Sequence, residues 1–280
     1  MSSFIPHGVM QGRLLPKYQG RYQAFPIGQW RNEFHLCKTH NINFIEFIFD
    51  FDQYQKNPLY TDSGLEQIIN ITQDTGVSVK TICADYFMSA PIHSLNENIS
   101  ANSIAVLKKI LKNANKIGAQ DIVLPCVDDS SLKNSELIKK FIKNIIYIQD
   151  ELEKFEINLC LETDLSPNDF HDLLSNFESK KITVNYDTGN SASLDFDIIE
   201  EFQAYGDRIT DIHIKDRKRG GGPVLLGTGD VNFDLFFKEI SRINYKGPII
   251  FQSYRDDEGL NIFLKQREWF KTKMEKLYEH

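Results

Sequence analysis

Four short apolar runs in the second half of the chain each end in a residue that can bind a metal ion. The final residues of these runs are Glu162, Asp187, His213 and Gln252. The runs read as parallel strands, which deliver the residues at their carboxyl ends to one edge of a sheet or one mouth of a barrel. Two carboxylates, an imidazole and an amide oxygen form a donor set for one divalent cation. The sequence therefore predicts a single metal site with these four ligands.

Predicted strands, which must position these ligands, alternate with predicted helices along the chain. The predicted strands span residues 4–11, 43–49, 77–84, 121–127, 157–163, 182–187, 209–215 and 248–253. Between them, apolar residues recur at helical spacing, as at Ile104, Leu107 and Leu111. Gly76 and Gly118 stand where two of the helices are predicted to end. Such alternation is typical of parallel strands joined by helical crossovers.

The predicted architecture is a single (β/α)8 TIM barrel that occupies residues 1–280 as one domain. The length of 280 residues suits this fold, which typically takes about 250 residues. No linker or low-complexity tract separates two domains. An open doubly wound sheet is the alternative, but Gly8, Gly12 and Gly20 do not form a dinucleotide-binding fingerprint after the first strand. In a barrel, all four candidate ligands would lie at the mouth where active sites are found.

Composition limits the classes of partner. An apolar content of 41% is sufficient for a large core, and no stretch approaches the roughly 20 apolar residues that cross a membrane. The net charge of −7 gives no general attraction for nucleic-acid phosphates. Residues 1–6 lack the basic and apolar parts of a secretory signal, and the four cysteines are expected to be buried, reduced thiols. We therefore expect a cytoplasmic protein with a small-molecule substrate and neither nucleic-acid nor membrane partners.

Several stretches resemble those of a known family. They span residues 161–164, 186–190, 211–217 and 226–233, and the most specific is the His-Ile-Lys-Asp-Arg run followed by a Gly-x-Gly-Asp loop. The resemblance is to the xylose-isomerase-like TIM-barrel superfamily of sugar phosphate isomerases and epimerases, and the Ile45-Glu46 strand end extends it over most of the barrel. It implies a (β/α)8 barrel that binds one divalent cation through Glu162, Asp187 and His213, with a fourth ligand from the last strand.

The last-strand residue departs from the pattern of the family. In the epimerase relatives the first and last ligands are glutamates that also form the acid/base pair, whereas this chain has Gln252 in the last position. An amide oxygen can coordinate an ion but cannot transfer a proton at neutral pH. Glu162 would then be the base, and the cation would lower the energy of the enediolate. One base favours aldose–ketose isomerisation over two-base epimerisation, unless Glu46, Asp85 or His93 supplies the second proton.

Other polar residues near the predicted mouth are candidates for contact with a sugar. The predicted substrate-binding residues are Arg217, Lys215, Glu46, Arg13, Arg255 and His93. Lys215 and Arg217 alternate with His213 along the predicted strand and so share its side; in the family, the arginine of this motif contacts substrate oxygens. Glu46 is expected to bind a hydroxyl or to hold a cationic neighbour. Arg13 and Arg255 would be neighbours, because the last strand pairs with the first, and could bind a phosphate.

The leading hypothesis is a divalent-metal-dependent isomerase or epimerase of a sugar or sugar phosphate. A dehydratase resembling the inosose dehydratases of the superfamily is one alternative, and a non-catalytic sugar-binding barrel, suggested by Gln252, is another. The oxygen and imidazole donors favour Mn²⁺, with Mg²⁺, Co²⁺ and Zn²⁺ as alternatives. The endonuclease IV relatives need more histidines, and this chain has Asn190 at one such position. Barrel relatives are often oligomeric, so a homo-oligomer is possible.

Overall fold

The chain forms a closed barrel of parallel strands, as predicted. The computed structural model describes residues 7–278. Around the barrel the strands follow the order β1-β10-β7-β6-β5-β4-β3-β2; they are β1 (His7–Met10), β2 (Phe44–Ile48), β3 (Ser78–Cys83), β4 (Asp121–Cys126), β5 (Asn158–Thr163), β6 (Ile182–Asp187), β7 (Ile209–Ile214) and β10 (Ile249–Phe251). Of the first predicted strand, residues 4–6 lie outside the described range. The prediction of a (β/α)8 TIM barrel is confirmed.

Helices connect the strands and cover the outside of the barrel. They are α1 (Trp30–Thr39), α2 (Asp62–Thr75), α3 (Tyr86–Ser89), α4 (Glu97–Ile117), α5 (Ser135–Phe155), α6 (Pro167–Leu174), α7 (Thr188–Leu194), α8 (Ile198–Tyr205), α9 (Phe233–Arg242) and α10 (Leu260–Tyr278). The two longest helices begin at asparagine caps, Asn96 and Asn134, whose side chains accept backbone N–H groups. Gly76 and Gly118 end α2 and α4 with φ angles of 74° and 76°, in the left-handed region that favours glycine.

One small hairpin interrupts the strand–helix alternation. It consists of β8 (Asp216–Arg217) and β9 (Pro223–Val224), which pair antiparallel just after β7. Both oxygens of Asp216 accept backbone N–H groups of the following loop, including those of Gly227 and Gly229 at 2.8 Å. The loop is therefore held over the end of β7, and Arg217 projects from this hairpin rather than from the strand itself.

The core lies between the barrel wall and the helices. Every residue of β2, β4 and β6 is buried, which explains why these strands read as continuous apolar runs rather than as alternating patterns. The cysteines at 37, 83, 126 and 160 are buried and unpaired, as predicted. No helix between residues 7 and 278 is both long and apolar enough to span a bilayer.

Candidate active site

Three of the predicted ligands converge at the carboxyl ends of neighbouring strands. Glu162 is near the end of β5, Asp187 ends β6, and His213 lies in β7 directly beside Asp187 in the strand register. One ligand atom of each residue lies within 4.8 Å of the others, and all three residues are buried. The convergence follows from parallel pairing, because adjacent strands place their ends at one mouth.

Asp187 is held as a carboxylate by neighbours on two elements. Its Oδ1 caps α7 by accepting the backbone N–H groups of Gly189 and Asn190 at 2.9 and 2.8 Å, and its Oδ2 lies 2.7 Å from Lys215 Nζ. A Cβ atom at position 189 would lie 2.7 Å from Lys215 Cγ, so the glycine provides the space for this lysine. Burial opposes ionisation, but Lys215 and His213 hold the pKa of Asp187 below its usual range.

Glu162 occupies a different electrostatic environment. Burial, together with the negative charge of Asp187, raises the pKa of Glu162 to about 7. Asn190 Nδ2 donates to Glu162 Oε1 at 2.6 Å, and Asn190 Oδ1 accepts from Arg217 Nη1 at 2.8 Å. A carboxyl group with a pKa near neutrality is suited to accept and release a proton.

Asn190 is a site residue that the sequence reasoning did not assign. The available signal was its spacing, because a residue three positions after Asp187, in the first turn of a helix, returns to the same side. Through its two amide atoms, Asn190 links Glu162 to Arg217. Arg217 thus reaches the ligand cluster through Asn190, and Lys215 reaches it through its ion pair with Asp187. Their contacts with substrate remain predictions.

His213 is oriented by Glu46 from across the barrel. His213 Nε2 lies 2.8 Å from Glu46 Oε1 and 3.6 Å from Asp211 Oδ1, whereas Nδ1 faces Asp187 Oδ2 at 3.8 Å. Burial alone would lower the pKa of His213, but Glu46 and Asp187 raise it above its usual value. Metal-binding histidines commonly donate their second ring N–H to a carboxylate. Glu46 therefore lies where its carboxylate favours a proton on Nε2, while Nδ1 is directed towards Asp187.

The residues at the mouth fit a divalent cation. His213 Nδ1 and Gln252 Oε1 are buried and have no hydrogen-bond partner within the described part of the chain. Gln252 follows β10 directly, and Ile250, two positions earlier, is paired with His213, so Gln252 occupies the same face one step nearer the mouth. Unpartnered buried acceptors are costly, and a cation would satisfy both of these together with the carboxylates of Glu162 and Asp187.

Glu46→Gln is expected to weaken Mn²⁺ binding by about 10- to 100-fold, the usual effect of losing an outer carboxylate partner of a metal-binding histidine. The amide is the same size but no longer carries the negative charge that lies 2.8 Å from His213 Nε2. Titration calorimetry on chelator-treated protein measures the affinity. Asp121→Asn is the matched control, because this buried carboxylate accepts from Asn158 Nδ2 at 2.9 Å and not from His213. Equal affinities of Glu46→Gln and wild type would contradict the assignment.

Arg13 and Arg255 meet where the first and last strands pair, as neighbours. Both are buried, and Arg255 donates to Gly12 O at 2.8 Å and to Leu15 O at 2.6 Å. Arg13 Nε donates to Ser253 O at 3.1 Å. These contacts bind the loop after β1 to the segment after β10. Phosphate binding by either arginine stays a prediction. It would have to use guanidinium N–H groups that do not already donate to these backbone carbonyls.

His93 lies apart from the ligand cluster. It is buried edge-on against Phe141 of α5, with the two ring centroids 5.6 Å apart, and burial lowers its pKa to about 4. Within residues 7–278 it belongs to neither group of acidic and histidine side chains that lie close enough to share a metal ion. The structure thus brings together the predicted ligands, Glu46, Lys215 and Arg217, but not His93.

Comparisons with known proteins agree with this architecture. The family model described as "Xylose isomerase-like TIM barrel" matches residues 34–278. The L-ribulose-5-phosphate 3-epimerase UlaE of Shigella sonnei is 25% identical over 273 residues, covering 91% of this chain and 93% of its own length. Among solved structures, 3-keto-D-glucoside 4-epimerase from E. coli has a TM-score of 0.74 at 15% identity, covering 96% of this chain and 99% of that one. A barrel protein from Mycobacterium smegmatis in complex with magnesium has a TM-score of 0.72 at 16% identity, with 98% of each chain covered.

Proposed function

This chain belongs to the xylose isomerase-like TIM barrel family, and we propose that it is a divalent-metal-dependent epimerase of a ketose phosphate. The observation that carries the proposal is the convergence of Glu162, Asp187 and His213, in which burial raises the pKa of one carboxyl group to about 7 while that of the other is held low. Such separated acidities suit Asp187 to binding a cation as a permanent carboxylate, and Glu162 to transferring a proton as well as binding that cation. The name of the Shigella sonnei relative supports the substrate class.

Four residues would hold the cation: Glu162, Asp187, His213 through Nδ1, and Gln252 through Oε1. A divalent ion bound there would supply electrophilic stabilisation of the negative charge that develops on neighbouring substrate oxygens. The mixture of oxygen donors and one imidazole favours Mn²⁺, and the magnesium complex of a structural neighbour supports Mg²⁺ as the alternative. The proposal requires one ion for each chain.

Glu162 removes the proton from the substrate carbon beside the carbonyl. Asn190 Nδ2 occupies Oε1 of this carboxylate, which leaves Oε2 as the atom that accepts the proton. Because Arg217 holds the other end of Asn190, the amide cannot rotate away without breaking a charge-assisted bond. Arg217 and Lys215 also supply positive charge at the mouth for an anionic substrate. Buried walls around Glu162 exclude bulk water from the reacting carbon.

The test is epimerisation of L-ribulose 5-phosphate by the chelator-treated protein before and after one equivalent of Mn²⁺ is restored. We expect turnover only with the metal present, because Glu162 alone does not offset the charge on the substrate oxygens. Product stereochemistry is measured by nuclear magnetic resonance, with unphosphorylated L-ribulose as the matched substrate. Loss of water from the sugar would indicate a dehydratase instead, and tight binding without turnover would indicate a sugar-binding barrel.

A further inference from the structure

We propose that Glu201 is a positioning residue of the active site, which holds α7 so that Asn190 keeps Glu162 in place for proton transfer. The proposal rests on the epimerase function proposed above. Glu201 lies in α8, outside the barrel wall, and only 2% of it is exposed. A buried carboxyl group is costly unless its hydrogen bonds are satisfied. The partners that satisfy Glu201 therefore indicate what it holds.

The helix α7 is too short to fix its own position. It spans Thr188–Leu194, seven residues, whereas isolated helices shorter than about 12–15 residues are marginal in water. Its sequence opens with threonine, glycine, asparagine and serine, all of which rank low as helix formers. Thr188 ties the start of the helix to the end of β7, because its Oγ1 donates to Lys215 O at 2.6 Å. The following turn needs an anchor of its own.

Glu201 supplies that anchor through one carboxylate oxygen. Its Oε2 accepts hydrogen bonds from Ser191 Oγ and, at 2.9 Å, from Tyr186 OH. Ser191 directly follows Asn190 in α7. Tyr186 directly precedes Asp187, the residue that ends β6 and caps α7. Glu201 thus holds the chain on both sides of the segment that carries two residues of the site.

The position of α7 reaches the reacting groups through Asn190. Asn190 Nδ2 donates to Glu162 Oε1 at 2.6 Å, and its Oδ1 accepts from Arg217 Nη1 at 2.8 Å. Rotation of α7 about its axis would shift this amide and release Glu162. A cavity of about 20 Å³, lined in part by Glu162, Asn190 and Glu201, leaves room for such a shift. The bond from Ser191 to Glu201 opposes the rotation.

Glu201→Met tests the proposal, with L-ribulose 5-phosphate as the probe and Mn²⁺ at saturation. Methionine is similar in length but offers no oxygen to Ser191. We expect kcat for epimer formation to fall by about 10- to 100-fold, because a small displacement of a catalytic group can cost that much. KM should stay close to that of the wild type, because Arg217 is held independently by Gly221 O at 2.9 Å. Glu201→Gln should keep most of the turnover, since one amide oxygen can accept from both hydroxyl groups.

Tyr205→Phe is the matched control. Tyr205 OH donates at 2.9 Å to Glu201 Oε1, which is not the oxygen that binds Ser191. The variant therefore disturbs the same buried carboxylate while the anchor of α7 stays in place. Its kcat should equal that of the wild type even where its unfolding temperature is lower. Equal losses of kcat in Tyr205→Phe and Glu201→Met would indicate a general structural role and overturn the proposal.

Hydrogen exchange of the backbone amides of residues 186–194, followed by mass spectrometry, reads the anchor without any turnover. Exchange should be faster in Glu201→Met than in the wild type and Tyr205→Phe. If Glu201→Met folds poorly, Ser191→Ala removes the same bond with a smaller change and should show the same two effects.

Two further results would overturn the assignment of Glu201. One is unchanged exchange of residues 186–194 when the bond to Ser191 is removed. The other is faster exchange with kcat still at the wild-type value, which would show that the position of α7 does not matter to the reaction. A wild type without any epimerisation would instead overturn the proposed function, and the exchange rates would still decide whether Glu201 holds α7.

Discussion

Glu162→Gln is expected to lower the turnover of L-ribulose 5-phosphate by about 10²- to 10⁴-fold, the usual range for removal of a positioned general base. Glutamine keeps the oxygen that can coordinate a cation but cannot accept a proton. Metal content should therefore stay close to that of the wild type, and deuterium exchange at the reacting carbon should be lost together with epimer formation. This combined loss would assign removal of the proton itself to Glu162.

The measurement pairs steady-state kinetics with the deuterium content of recovered substrate. Asp164→Asn is the control, because Asp164 lies two residues further along and accepts from Ser131 Oγ at 2.7 Å. For the wild type, activity should rise as the pH rises through the pKa of Glu162, since only the ionised group can accept a proton. Burial and Asp187 raise that pKa to about 7, and a bound cation would move the rise to lower pH. Substantial exchange by Glu162→Gln would show that another residue is the base.

His213→Ala is expected to abolish stoichiometric metal binding and to destabilise the metal-free protein. Its affinity for Mn²⁺ should fall by more than the roughly 10- to 100-fold caused by loss of an outer partner, because a direct ligand is removed. The same change leaves Glu46 and Asp211 buried without their cationic neighbour. Breaking a buried pair on one side typically costs about 3–5 kcal/mol.

Elemental mass spectrometry and thermal unfolding with and without chelator measure the two effects. The wild type should carry about one ion per chain after a Mn²⁺ soak, and a chelator should lower its unfolding temperature. The unfolding temperature of His213→Ala should be lower and should not respond to the chelator. His35→Ala, at an exposed position of α1, is the control. Retention of one ion by His213→Ala would contradict the ligand assignment.

The barrel could be predicted from sequence because its strands are buried on both faces. Such strands read as continuous apolar runs, and their ends are marked by the first polar residues. The strand Ile182–Asp187 has the predicted bounds, whereas the last strand ends at Phe251 rather than at Ser253. The hairpin of β8 and β9 was not predicted, because strands of two residues contain no periodic signal.

The convergence of the metal ligands could be predicted from the order of the strands, whereas side-chain contacts across the barrel interior could not. Glu162, Asp187 and His213 come from consecutive strands, so parallel pairing alone brings them together. Glu46 reaches His213 from a strand that is not adjacent in the ring, and this depends on the stagger of the closed barrel. The link from Asn190 to Glu162 likewise depends on the start of a helix. Sequence spacing predicts neighbours on one element better than partners across an interior.

The seam between β1 and β10 sets an order of events during protein synthesis. Arg255 donates to the carbonyl of Gly12 across 243 positions of sequence, so β1 leaves the ribosome long before the strand that completes it. Until that strand emerges, one edge of β1 has unpaired backbone groups that can pair wrongly with other chains. The barrel can thus close only after β10 has been synthesised, and nascent chains halted before β10 should depend on chaperones far more than completed ones.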